Sequence, residues 1–431
     1  MTMSSYLTAV LLCAASLFAF EGDQPSVPEM QLSAEMKLPA IGIRKSESGG
    51  AELFSRDSGS RFVPKGFNHT VLSNTSTGWH ATFNVGIYKP DEMETLLTKM
   101  AAVGANTIRV WIWGVQDETG FTAAPESCGL NAAYMNNVVD FLQRCTRHGI
   151  YVIPILDEIP QNAYYDNIAA QADTVLPTPQ VTGYNRNYFS PGKLAAKAQA
   201  VKESVQYIKE ADAGLLNTVL GWAFSNEAFV NHSEGPFSQD RGEVVVANGK
   251  IYDMGDNEQR QACYDESILH WCNTLVDAVK SVAPDALTTL GMWTSDAHGR
   301  APVNYLLPDE HDPRRPPRPS VLAGEESKLD FLDIHIYPWD GTSKVRPVAH
   351  EWDAVKNSSK PAIVGEYGVF KDKTADEAKI MMREMLEQAY SMGYQGSLHW
   401  VWDLTAVKGQ TWSSVEEGLA EYLMRMEVYP E

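Results

Sequence analysis

NTIRVWIW (106–113) and IYVIPIL (150–156) are the two stretches whose reading decides the fold. Each is a short run rich in β-branched and aromatic residues, the composition of a strand buried on both faces. Between them, 131–148 carries apolar residues at helical spacing, and only His148-Gly149 joins that helix to the second strand. A strand, an amphipathic helix and a second strand in succession form one βα unit and the start of a parallel sheet. The same rhythm extends in both directions. Strands are predicted at 61–68, 106–113, 150–156, 218–227, 286–293, 329–337, 361–368 and 396–402. Helices are predicted near 90–103, 131–148, 191–211, 257–282, 346–357, 374–392 and 414–426. Eight units in one domain predict an α/β fold of the (β/α)₈ TIM-barrel type, with a single catalytic domain over 51–431. A doubly wound sheet is the alternative, but no GxGxxG follows the first strand. The long segments at 157–190, 228–256 and 294–328 all follow strands, at the barrel end where sites are built. In the second of them, Asn248-Gly249 fits a type I′ hairpin turn.

Of the 431 residues, 44 % are hydrophobic and 21 % charged, which excludes a disordered or fibrous chain. Thirty-five Lys and Arg stand against 55 Asp and Glu, a formal charge of -20. Such a surface repels nucleic acid and anionic lipid, and tolerates a neutral ligand. Residues 1–20 read as a signal peptide, predicting a secreted protein with no membrane anchor in its mature form. Residues 21–50 read as a linker or loose arm. Cys128, Cys145, Cys263 and Cys272 would remain after cleavage, enough for two disulfides in any of three pairings. A monomer is expected.

Alternation along the strands singles out the chemistry. Asp333, His335 and Tyr337 share one face of their strand, as do Arg109, Trp111 and Trp113 of theirs. A buried Arg needs a carboxylate partner. Glu227 ends WAFSNE and Glu366 lies in IVGEYG, both at the carboxyl ends of apolar strands. Two carboxylates across a barrel mouth can perform retaining glycoside hydrolysis at a separation of roughly 5 to 5.5 Å. One must be ionised to attack and the other protonated to assist departure. Asn68 closes KGFN at the end of the first strand, too close to this site to be glycosylated in its NHT sequon. Asp157 either lines a subsite or caps the loop after the third strand. Trp113 either stacks on a sugar or belongs to the core. No HExxH or clustered His suggests a metal, and no cofactor is expected.

Taken in order, KGFN, NTIRVW, WAFSNE, DIHIYP, KPAIVGEYG and GSLHW resemble the clan A glycoside hydrolases, most closely the family 5 cellulase and mannanase type, over about 52–427. The resemblance implies an acid/base role for Glu227 and a nucleophilic role for Glu366. It implies that Asn226 bonds the sugar 2-hydroxyl and that Arg109 and Tyr337 hold the nucleophile. His335 would support the acid/base, and Trp400 would form the sugar platform. The chain departs from the family pattern at Ala228, where Pro is common, and at Asp157-Glu158, where His or Asn is common. The expected substrate is a neutral β-linked glucan or mannan. A transglycosylase with the same site and a carbohydrate-binding barrel without turnover are the alternatives. Strict alternation would put Asn226 and Glu227 on opposite faces, so a bulge or a twist is expected there.

Overall fold

Apolar β-branched runs separated by helices do close into a ring. The computed structural model describes residues 37–46, 49–70, 80–113, 120–123, 129–293, 313–337, 355–368, 373–402 and 415–416. Its barrel strands are β1 (Lys65–His69), β2 (Thr107–Trp111), β3 (Tyr151–Ile155), β4 (Trp222–Ala223), β5 (Thr288–Thr289 and Gly291–Trp293), β6 (Leu332–Ile336), β7 (Ala362–Tyr367) and β8 (Ser397–His399). All neighbours pair in parallel. The sheet closes through β5: its first half pairs with β4 and its second half with β6, the break falling at Leu290.

The helices start where capping chemistry allows. Helix α1 (Pro90–Ala102) opens on Pro with Asp91 and Glu92 in its first turn, and buries Met93, Leu96, Leu97 and Met100. Helix α2 (Ala132–Arg147) opens where the Asn131 side chain accepts from the Ala133 and Tyr134 amides. Within the segment after β3 lies α3 (Ala163–Val175), which alternation and spacing did not predict. It buries little of its own surface and is held to α4 (Pro191–Ala211) by the Tyr164 and Tyr165 hydroxyls, each donating to Glu203 at 2.7 Å. Helix α5 (Asn257–Lys280) and helix α6 (Ala375–Ser391) follow, the latter opened by a reciprocal Thr374–Glu377 capping box. The helices predicted near 346–357 and 414–426 lie largely outside the described residues.

The apolar side chains form two layers. One lies between sheet and helices. The other fills the barrel and includes Trp111, Ile153, Ile155, Leu220, Ile363 and Leu398. Ile41 and Leu53 belong to this inner layer, so the described part of the expected loose arm, from residue 37 on, is packed on the barrel. Ile41–Lys45 pairs antiparallel with Ala51–Ser55, and the Tyr151 hydroxyl donates to the Pro39 carbonyl at 2.8 Å. The hairpin joins the barrel because its apolar face has that inner layer to enter. Residues 1–36, with the expected signal peptide, lie outside the described residues. No helix among the described residues is long and apolar enough to cross a membrane.

Two further expectations are corrected. Cys145, Cys263 and Cys272 are free and buried, so the two expected disulfides do not form; Cys128 lies outside the described residues. Each of the three sits on the buried face of α2 or α5 and packs as a small apolar residue. The hairpin around Asn248-Gly249 exists, but it closes over five residues between Val245 and Ile251. Gly249 has φ +77°, whereas Asn248 is not among the residues of positive φ, as a type I′ turn would require. Instead Asn248 Oδ1 accepts from the Lys250 amide and its Nδ2 donates to the Tyr252 hydroxyl.

Candidate active site

At the carboxyl end of the barrel, polar side chains converge on a fully buried arginine. Arg109, on β2, donates through Nη1 to Glu366 Oε1 at 2.7 Å, to Asn226 Oδ1 at 3.0 Å and to Asn68 Oδ1 at 3.1 Å. Its Nε donates to Asp333 Oδ2 at 2.9 Å. Arg109, Asp333 and His335 have no exposed surface. Burial works against the Arg109 charge, and Asp333 and Glu366 more than restore it.

Glu366 accepts a second bond, from the Tyr337 hydroxyl at 2.7 Å. Glu227 lies 2.8 Å from His335 Nδ1, which is also 3.4 Å from Glu366. Burial first, then Glu227, push the Glu366 carboxyl above the ordinary carboxylate range, against the pull of His335, Arg109 and Tyr337. Burial opposes the His335 charge, but Glu366, Glu227 and Asp333 leave it above its ordinary value. An oxygen of each glutamate and a ring nitrogen of His335 lie within 4.8 Å of one another. That span would admit a cation, but the Arg109 guanidinium already occupies Glu366 and repels one.

Both glutamates are aimed by bulges. Gly291 donates its N–H to the Ser225 carbonyl, and its own carbonyl accepts from Ala228. A regular parallel ladder would use residue 227 there, so one extra residue is inserted and Asn226 and Glu227 together occupy one position. This is the expected bulge. A second one was not foreseen. Ile334 pairs with Val364 but His335 with Glu366, so Gly365 is the extra residue in β7. The Gly365 carbonyl accepts from Asn68 Nδ2 at 2.8 Å.

The structure thus brings Arg109, Asn226, Glu227, His335, Tyr337 and Glu366 together, with Trp400 on the wall. Trp400 meets Trp111 edge to face at 5.8 Å, and His80 stacks on Trp111 at 4.0 Å. Burial lowers the His80 ring to about 4, so it is neutral. Three further candidates, Asn68, Trp113 and Asp157, stand behind these groups. Asn68 is fully buried between Arg109 and Gly365 and holds them in place. Trp113 is fully buried against Phe121, because β2 ends at Trp111 and its alternation with it. Asp157 lies behind the bulge, its Oδ1 accepting from Ser225 Oγ at 2.7 Å and from the Asn226 amide at 3.0 Å. Trp111 and Asp333, which alternation put on the site face but to which sequence reasoning assigned no role, also belong to the site.

A model of the cellulase family, glycosyl hydrolase family 5, matches residues 64–405. The chain belongs to glycosyl hydrolase family 5. It is 22 % identical over 366 residues to a mannan endo-1,4-beta-mannosidase of Mytilus edulis, covering 82 % of this chain and 88 % of that protein. The solved beta-mannanase of that mussel matches with a TM-score of 0.52 at 17 % identity, over 91 % of this chain and 98 % of that one. An exo-beta-1,4-mannosidase from Opitutaceae bacterium strain TAV5 matches with a TM-score of 0.55 at 16 % identity, over 88 % of this chain; the chain spans 62 % of that larger protein. These likenesses place the barrel among family 5 folds.

Proposed function

We propose that this family 5 enzyme is a secreted retaining β-mannan hydrolase cleaving internal β-1,4 links. The observation that carries the reading is the carboxyl pair. An oxygen of Glu227 and one of Glu366 lie within 4.8 Å of each other, which favours the close carboxyl spacing of retaining enzymes over the roughly 6.5 to 9.5 Å that leaves room for a water in inverting ones. The names of the curated relatives favour mannan over glucan.

Glu366 is the nucleophile and Glu227 the acid/base. Glu366 must be ionised to attack while Glu227 holds the proton. Glu366 receives donors from Arg109 and Tyr337, which hold the negative charge on it and leave the proton to Glu227. Glu366 attacks the anomeric carbon while Glu227 protonates the departing oxygen, giving a glycosyl ester. Water then enters, Glu227 takes its proton, and the hydroxide displaces Glu366 with net retention. Asn226 Oδ1 is committed to Arg109, so Nδ2 is the atom presented to the sugar 2-hydroxyl. The partly exposed Trp400 offers an apolar ring to the sugar face.

The test is product analysis on β-mannan, β-glucan, xylan and aryl β-glycosides, with the released anomer followed by NMR. Mannan oligosaccharides of retained configuration are expected. Glu366→Ala and Glu227→Ala should each lower kcat by at least about a thousandfold. Azide should restore turnover in both, with inverted product from Glu366→Ala and retained product from Glu227→Ala. Inverted product from the wild type would remove Glu366 as nucleophile. Binding of mannan without turnover would identify a carbohydrate-binding barrel instead.

A further inference from the structure

Helix α4 carries a lysine where its packing calls for an apolar side chain. Lys197 is 2 % exposed, between Ala196 and residues of the sheet–helix layer. Its Nζ donates to the Asp157 carbonyl at 3.1 Å and lies over the Trp271 ring at 4.9 Å and the Trp113 ring at 6.0 Å. An ammonium in such a place is costly unless its charge is used. The titratable groups facing it are Asp157 and Glu158 from the segment after β3 and Cys272 from α5, with Lys360 beyond Cys272. Burial pushes Lys197 down to about 8, against the pull of those three.

What Lys197 holds is the support of the site. The Asp157 carboxylate accepts from Ser225 Oγ and from the Asn226 amide, the two residues that open the β4 bulge. Asn226 Oδ1 then accepts from Arg109, and Arg109 donates to Glu366. An unbroken run of contacts leads from the buried amine to both glutamates.

We propose that Lys197 is a positioning residue, whose protonated amine fixes the Asp157 segment and through it the bulge that presents Asn226 and Glu227. Losing that proton removes the charge facing Asp157 and slackens the bulge. Lys197 therefore sets a limit on the alkaline side of activity separate from the carboxyl pair. The kinetic half of this inference rests on the hydrolase reading; the spectroscopic half does not.

The experiment follows the Asn226 amide by NMR in the full chain labelled with ¹⁵N-asparagine, from pH 6 to 10, in the wild type and in Lys197→Met. An inflection near 8 is expected in the wild type and absent in the variant. In kinetics, Lys197→Met should lose about ten- to a hundredfold in kcat with KM within about twofold, the signature of misplacement rather than lost binding. Asp157→Asn removes the charge that raises Lys197, so the alkaline fall of kcat should move to lower pH. An Asn226 amide that titrates identically in wild type and Lys197→Met overturns the inference, as does wild-type kcat with an unchanged pH profile. Should Lys197→Met not fold, Asp157→Asn decides: an unmoved alkaline limb overturns it. A wild type that cleaves no β-mannoside counts against the proposed function, and the amide titration still decides the role of Lys197.

Discussion

Tyr337 shows how one hydroxyl can set the ionisation of a buried carboxyl, here the one proposed as nucleophile. Burial raises the Glu366 carboxyl, and the Tyr337 bond at 2.7 Å is among the few forces lowering it. Tyr337→Phe removes that bond and leaves the ring in place. A hydrogen bond to a charged group contributes about 1.5–3 kcal/mol, so kcat/KM should fall by roughly ten- to a hundredfold. The sign of the pH effect follows. Without the donor Glu366 binds its proton more tightly, so the acidic limb of kcat/KM should shift to higher pH. A pH–rate profile on a soluble manno-oligosaccharide checks this, and an acidic limb that stays in place or moves down refutes it. At this scale the sequence was informative where chemistry forces an unusual placement. Glu227 and Glu366 stand at the ends of apolar strands, and Arg109 sits inside one. Lys197 was silent, because a lysine on a helix reads as a solvated residue until the packing around it is known.

The strands explain why alternation alone mislocated some of these groups. Period-two reasoning assigns faces only while the strand continues. It worked for Arg109 and Trp111 within β2 and failed for Trp113 beyond its end. It anticipated the β4 bulge from the Asn226–Glu227 conflict, but β7 gave no such conflict, and its extra residue appears only in the pairing of β7 with β6 and β8. The (β/α)₈ rhythm was legible because each unit repeats the same contrast between strand and helix. Helix α3 was not, because it buries one residue, Tyr165, and so lacks a periodic apolar face. Gly291 tests the bulge. A Cβ there would sit 1.9 Å from the Asn226 carbonyl oxygen, which accepts from Arg109 Nη2 at 3.2 Å, and 2.9 Å from that Nη2 itself. Gly291→Ala must therefore displace Asn226 and Glu227 together. A shift near 1 Å costs on the order of a hundredfold in rate, so kcat should drop by about that factor while α-helical content persists by circular dichroism. Wild-type kcat in a folded Gly291→Ala would show that the β4 bulge does not place Glu227.

The molecule as a whole carries a charge of -20, and at the site that charge is locally cancelled. Asp333 and Glu366 are buried against Arg109, with side-chain exposures of 0 % and 4 %. Buried pairs of this kind are screened little by salt, whereas the acidic surface is screened within a Debye length of about 10 Å at 0.1 M. Chemistry and approach should therefore respond differently to ionic strength. A neutral mannan feels no long-range field, so its kcat/KM should vary by no more than about twofold between roughly 0.01 and 0.5 M NaCl. A carboxymethylated mannan is repelled by the surface at low salt, so its kcat/KM should begin lower and climb as salt is added. The climb should lie in kcat/KM and not in kcat, because encounter is screened and the carboxyl pair is not. Equal salt dependence for the two polymers would mean that the surface charge plays no part in substrate choice. A salt-dependent kcat on neutral mannan would mean that the Arg109 cluster is open to the solvent ions its burial excludes.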